Sequence, residues 1–161
     1  MRALLLLVLL PLPALAGPLT GKSYIVELAS SQDASGYGAY LLPPLLKELG
    51  ASDLKPWKTL GPGADVVVNI TPDSDVGRWV TRNGERVWIY TVSVRIGISP
   101  GDYEIPVDGS PAFGVTARLE TPNPDREDEM DCLIRLATRT AIRDYKPTGA
   151  ETVDGQVCAR N

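Results

Sequence analysis

The sequence contains no histidine. That absence excludes Ser-His-Asp and Cys-His activation of a nucleophile, and with them the histidine-bearing zinc sites. It also removes the side chain whose ordinary titration falls between about pH 5 and 8. Cysteine is nearly as scarce: Cys132 and Cys158 are the only two, too few for a thiolate metal cage without imidazole help. No basic run is present and the net charge is −4, so a phosphate backbone is a poor partner and nucleic-acid binding is not expected. The longest early apolar run, Ala3 to Leu10, is far short of the ~20 residues that span a membrane. No repeat and no low-complexity block occurs. No cofactor and no metal are expected.

Several signals are present. Arg2, the apolar run behind it and Ala14-Leu15-Ala16 have the order of a secretory signal peptide, with cleavage expected after Ala16. Residues 17–161 then form one domain, periplasmic or secreted, and loss of Arg2 takes the charge from −4 to −5. In an oxidising compartment two cysteines read as a disulfide, Cys132 to Cys158. Closing an interval of about 26 residues stabilises by roughly 3 kcal/mol.

Hydrophobic periodicity divides the chain. Ser23 to Ala29 alternates as a strand. Tyr40 to Leu49 reads as a helix ended by Gly50, with Pro43 and Pro44 best placed in its first turn. Ser52 to Gly63 reads as a linker, and Ala64 to Ile70 as a short buried strand. Asn83-Gly84 is a two-residue hairpin signal joining Gly77–Arg82 to Glu85–Ile98. Along the second arm Trp88, Tyr90, Val92, Val94, Ile96 and Ile98 share one face, with Ile89, Thr91, Ser93, Arg95 and Gly97 on a wetter one. Phe113, Val115, Ala117 and Leu119 repeat that alternation.

A last helix is expected from about Asp125 to Tyr145, acidic at its start and basic toward its end, as the helix dipole favours. Its apolar stripe is Met130, Leu133, Ile134, Ala137, Ala141 and Tyr145. Cys132 falls on the opposite side, so a bridge to Cys158 predicts a tail drawn across the outward face. These elements predict an α+β fold: one mixed or antiparallel sheet of four to five strands with two helices packed on one face.

The candidates for chemistry are few. Gly36-Tyr37-Gly38 stands between a strand and a helix, where exposed amides hold anions, which makes Ser31, Gln32, Asp33, Ser35 and Tyr37 candidate binding residues. The third glycine of a dinucleotide fingerprint is missing, since position 41 is leucine. A flexible turn is the simpler account. Trp57 and Trp79 are candidate partner anchors. The carboxylates Glu27, Asp33, Asp73, Asp75 and Asp108 are the material for a two-acid hydrolase, although most sit where turns favour an acid. Ser30 and Ser31 have no local lysine to activate them. "PDSDVG" and "NPDREDE" lack the full calcium ladder. The stripe Arg135, Arg139 and Arg143 reads as a solvated face, with Asp131 four residues before Arg135.

Two resemblances add to this. "VELASSQDASGY" followed by "LLKELG" resembles the start of exported thioredoxin-like proteins, which implies a parallel pairing of the first strand with Ala64–Ile70. The thiol positions of that family are Ala34 and Tyr37 here, so the implied protein is redox-inactive. "GADVVVNI", the long hairpin, the following strand and "LIRLATRTAI" are similar to the small α/β domains of bacterial envelope proteins such as the TolB amino-terminal domain. That similarity implies a protein-docking module. The expected function is a non-catalytic exported domain that binds another envelope or secreted protein. A carboxylate-dependent hydrolase and a redox-inactive thioredoxin-like protein are the alternatives.

Overall fold

The computed structural model describes residues 17–28, 34–58 and 63–159, excluding the side chains of 34–37. The expected leader, and Ser31, Gln32 and Asp33 among the candidate binding residues, lie outside the described residues. The elements are β1 (Ser23–Leu28), α1 (Ala34–Ala51), β2 (Lys55–Pro56), β3 (Val66–Ser74), β4 (Arg78–Arg82), β5 (Glu85–Pro100), β6 (Phe113–Thr121), α2 (Glu127–Arg143) and β7 (Gly149–Asp154), closed by a 3₁₀ turn at Gln156–Cys158.

The strands form one mixed sheet in the order β2-β1-β3-β5-β6-β7, with β4 attached to β5. β1 pairs in parallel with β2 and β3, and β6 with β7; the β3–β5, β4–β5 and β5–β6 pairs are antiparallel. The fold is α+β with two helices, as the periodicity indicates. The sheet is wider than the four to five strands expected, because it gains two edge strands. β2 has two residues, below any detectable pattern. β7 joins in parallel, with Gly149 opposite Phe113, and parallel pairing leaves no turn signal in the sequence.

One core holds these parts together. Val66, Val68 and Ile70 of β3 face the helices with Val92, Val94, Ile96 and Ile98 of β5 and Phe113, Val115 and Leu119 of β6. Leu41, Leu45 and Leu49 of α1 and Leu133, Ile134, Ala137 and Ala141 of α2 join the same cluster. Each buried aliphatic or aromatic side chain contributes about 1.5–3 kcal/mol. Between the helices, Arg139 donates from Nε and Nη2 to the two carboxylate oxygens of buried Glu48, at 2.6 and 2.8 Å. The other arginines of that stripe pair locally, Arg135 with Asp131 and Arg143 with Asp144.

Three local expectations are corrected. First, α1 starts at Ala34 and Pro43 and Pro44 lie inside it, not in its first turn. Each proline leaves the carbonyl four residues back without an N–H. Those are the carbonyls of Ala39 and Tyr40, both exposed residues with access to water. The extra turns are explained by packing: Gly38 is buried, and a Cβ there would lie 3.4 Å from Leu28 Cδ1. Second, the disulfide forms between Cys132 and Cys158, but the tail does not cross the outward face of α2. It enters the sheet as β7, and Cys158 is buried in the core cluster beside a half-buried Cys132. Third, Trp88 leaves the core-facing set. It is half-buried, whereas Ile89, assigned to the wetter face, is fully buried. Trp88 is open because β5 outruns the main sheet, positions 85–89 pairing only with β4; the burial of Ile89 does not follow from this register.

Candidate functional site

The register places two surfaces away from the core. The first is a two-stranded arm, β4 with residues 85–89 of β5, turned by Asn83 and Gly84 at positive φ (52° and 85°). This is the backbone of a two-residue hairpin, and glycine accepts it without strain. On one side of the arm the aromatic rings form a ladder. Tyr90 and Trp88 are 6.4 Å apart and Trp88 and Trp79 are 5.2 Å apart, both edge to face. Guanidinium groups close both ends, Arg126 over Tyr90 at 4.7 Å and Arg86 over Trp79 at 5.1 Å. Gly77, at φ 87°, leaves room for the indole of Trp88: a Cβ there would lie 2.2 Å from Nε1. Trp79 is nevertheless 57% exposed, so a large aromatic is held in place without being covered. Val76, at the foot of the arm, is exposed too.

The second surface is the sheet face opposite the helices. Strand register sets side chains there in rows. One row runs Thr71, Arg95, Thr116, Thr152; the next runs Asp73, Ser93, Arg118, Asp154. The face is polar because no element covers it over most of its length. At one corner the loop from β5 to β6 folds back: a Cβ on Gly97 would lie 2.6 Å from Pro111, and one on Gly114 would lie 3.5 Å away. Beyond that corner lies a groove of about 450 Å³, bounded by Asp73, Asp75 and Arg78 on one side and Thr116, Arg118 and Thr152 on the other.

Most charges around the groove are committed. Asp75 accepts from the N–H groups of Thr91 (2.8 Å) and Gly77 (3.0 Å) and faces Arg78 at 3.6 Å. The Thr91 N–H foremost holds its carboxyl below the usual range. Arg78 donates to Thr91 Oγ1 at 3.0 Å and to Glu120 at 2.5 Å, and Arg82 reaches the same carboxylate at 3.7 Å. Asp154, directly opposite Arg118 on β7, accepts instead from the Gln156 N–H at 2.9 Å. Asp73 and Arg118 are left: neither side chain makes a hydrogen bond or ion pair with another described residue.

The sequence candidates are scattered by the fold. Ser35 and Tyr37 contribute backbone to α1. Trp57 is half-buried beside β1, its backbone N–H donating to the Tyr24 carbonyl at 2.9 Å. Trp79 is the aromatic candidate that stands out. Of the carboxylates, Asp73 and Asp75 share the groove, Glu27 is exposed on β1, and Asp108 turns a loop by accepting from the Ser110 hydroxyl and N–H. The Ser110 bonds lower its pKa. A glycosidase acid needs a carboxyl held above its ordinary range; Asp75 and Asp108 move the other way. β1 and β3 are parallel neighbours, the pairing that the thioredoxin-like reading requires, but a βαβ unit is common to many folds. Arg118, on the side of its strand opposite Phe113, Val115, Ala117 and Leu119, is legible as a site residue only through its neighbours across β5 and β7. Among the described residues no three metal-ligating side chains converge, and no helix is long and apolar enough to cross a membrane.

No protein-family model matches the sequence, and no curated protein matches it significantly. Among solved structures, the chain is similar to a minor lipoprotein from Acinetobacter baumannii, at 12% identity and a TM-score of 0.42, over 77% of this chain and 88% of that one. It is also similar to a PDZ domain protein from Parabacteroides distasonis, at 9% identity and a TM-score of 0.44, over 78% of this chain. The match spans 32% of that longer chain. Similarity at this level carries no functional assignment.

Proposed function

We propose that this chain is an exported binding module of the cell envelope or the secreted space that docks another protein through the β4–β5 arm. The observation that carries this reading is Trp79, fixed by Trp88 and Arg86 yet largely open to solvent. A rigid aromatic with few rotamers to lose is the usual anchor of a protein interface. The disulfide supports an oxidising compartment, and the expected leader would route the chain there. The lack of histidine and the lowered carboxyl of Asp75 in the groove favour binding over catalysis.

Capture from a native envelope extract tests the proposal. The full-length mature chain is expected to retain a specific partner, Trp79→Ala to lose it, and Trp57→Ala to keep it. Equal capture by the Trp79→Ala variant, with its fold intact by circular dichroism, would overturn the arm as the docking element. Substrate turnover by the purified chain would overturn the non-catalytic reading.

A further inference from the structure

The bare sheet face carries a pair of opposite charges on strands other than the arm's β4, in the groove that Arg78 of β4 borders at one side. Asp73 and Arg118 flank Ser93 across β5, in one row of the register. Adjacent strands set them about 10 Å apart at Cα, with a long side chain on one side and a short one on the other. They form no ion pair with each other or with any other described residue, although both line the same groove. This contrasts with their surroundings. Asp75, Arg78, Glu120 and Asp154 are each tied to a partner within the protein. The hydroxyls of Ser93, Thr116 and Thr152 around Arg118 likewise make no hydrogen bond to a described residue and stand on the same open side of the sheet.

We infer that this groove binds a small zwitterion, a free α-amino acid, with its carboxylate on Arg118 and its ammonium group on Asp73. The charge pattern selects this class. A simple anion at Arg118 would lie beside the acids Asp73 and Asp154 of the same row, and a simple cation at Asp73 would face Arg118; like charges in reach are unfavourable in both cases. A ligand that carries both charges, with its ammonium and carboxylate groups on one carbon, satisfies the pair. Arginine is suited to hold a carboxylate by two parallel hydrogen bonds, and the hydroxyls supply further donors to the same group. The groove, at about 450 Å³, admits an amino acid with its side chain directed along the strands. Because the site is open to water, each ion pair is weak and a Kd on the order of 1 mM is expected.

The test is an amide chemical-shift titration of the mature, disulfide-intact protein with a pool of the common L-amino acids, then with single compounds. Acetate, methylammonium and N-acetyl-L-alanine amide serve as controls. The expected result is a saturable shift centred on Ser93, Thr116 and Thr152 with at least one amino acid and weaker, unsaturated responses to all three controls. Asp73→Asn and Arg118→Gln are each expected to lower affinity about tenfold, the loss of one charged contact, while circular dichroism and the thermal midpoint stay those of the parent. No saturable response to any amino acid would overturn the proposal. So would an equal response to the blocked amide, or binding that survives both substitutions.

Discussion

The two faces of the sheet are built from the same strands and do opposite things. On the helix side Val94, Ile96, Val115 and Leu119 are sealed against α1 and α2, and every position carries part of the fold. One residue further along each strand, the side chains are Ser93, Arg95, Thr116 and Arg118, and no helix covers them. Strand alternation delivers both faces at once. The difference between them shows where substitution costs stability and where it is free to serve a ligand. The arm lies between these extremes: it prolongs the helix-side face with Trp88 and Trp79 but leaves the cover of the helices behind.

Substitution on the sealed face should give the largest effect. Phe113, fully buried and edge to face with Tyr145 at 5.9 Å, sits where β6 meets β7. Phe113→Ala is expected to cost about 3–5 kcal/mol in urea unfolding. Next comes the bridge that holds the tail in the sheet. Replacing Cys132 and Cys158 together by serine opens a 26-residue separation and should cost about 3 kcal/mol, with limited proteolysis falling first on residues 149–159.

The covered corner of the bare face breaks the simple comparison and should behave like core. A Cβ on Gly97 would lie 2.0 Å from Asn69 Oδ1 and 2.6 Å from Pro111. Gly97→Ala therefore should cost about 1–3 kcal/mol. Gly84→Ala, at an open turn with φ 85°, should cost about 1 kcal/mol through backbone strain alone. Denaturant midpoints at constant slope measure both.

Acid should act on turns and strand ends rather than on the core. Asp65 accepts from the N–H and hydroxyl of Ser23 at 2.8 and 2.7 Å, with the N–H the larger influence, and its pKa is lowered. Asp75 is lowered in the same sense by Thr91. A carboxyl whose folded pKa lies below its unfolded one stabilises above the unfolded value and loses that contribution as pH falls through the folded value. Stability should therefore be flat from about pH 5 to 8, where no histidine titrates, and decline below the ordinary carboxylate range. Asp75→Asn should soften that acid limb; an unchanged acid limb in this variant would contradict the assignment.

Much of the fold is legible in the sequence, and what is not has physical causes. Alternation in β5 and β6 is a local signal, as are the Asn83-Gly84 turn and the acidic start of α2. The disulfide followed from a count of two. β7 did not, because its hydrogen bonds go to β6, with Gly149 opposite Phe113, and its own six residues, GAETVD, are too polar to announce a strand. The start of α1 was hidden by glycines that read as flexibility, when Gly38 instead lets the helix approach Leu28. The sequence placed Trp79 among the anchors from residue type alone. Asp73 and Arg118 as a pair were out of reach: they are 45 positions apart, and only the register of three strands sets them in one row.

The division of labour between the two faces can be measured in one variant. Asp73→Asn, Thr116→Val and Arg118→Gln together alter the bare face without touching the core. Their combined unfolding free energy should stay within about 1 kcal/mol of the parent, as for exposed positions elsewhere. A loss of about 3 kcal/mol or more, equal to a single core truncation, would mean that the bare face holds the fold and is not reserved for a ligand.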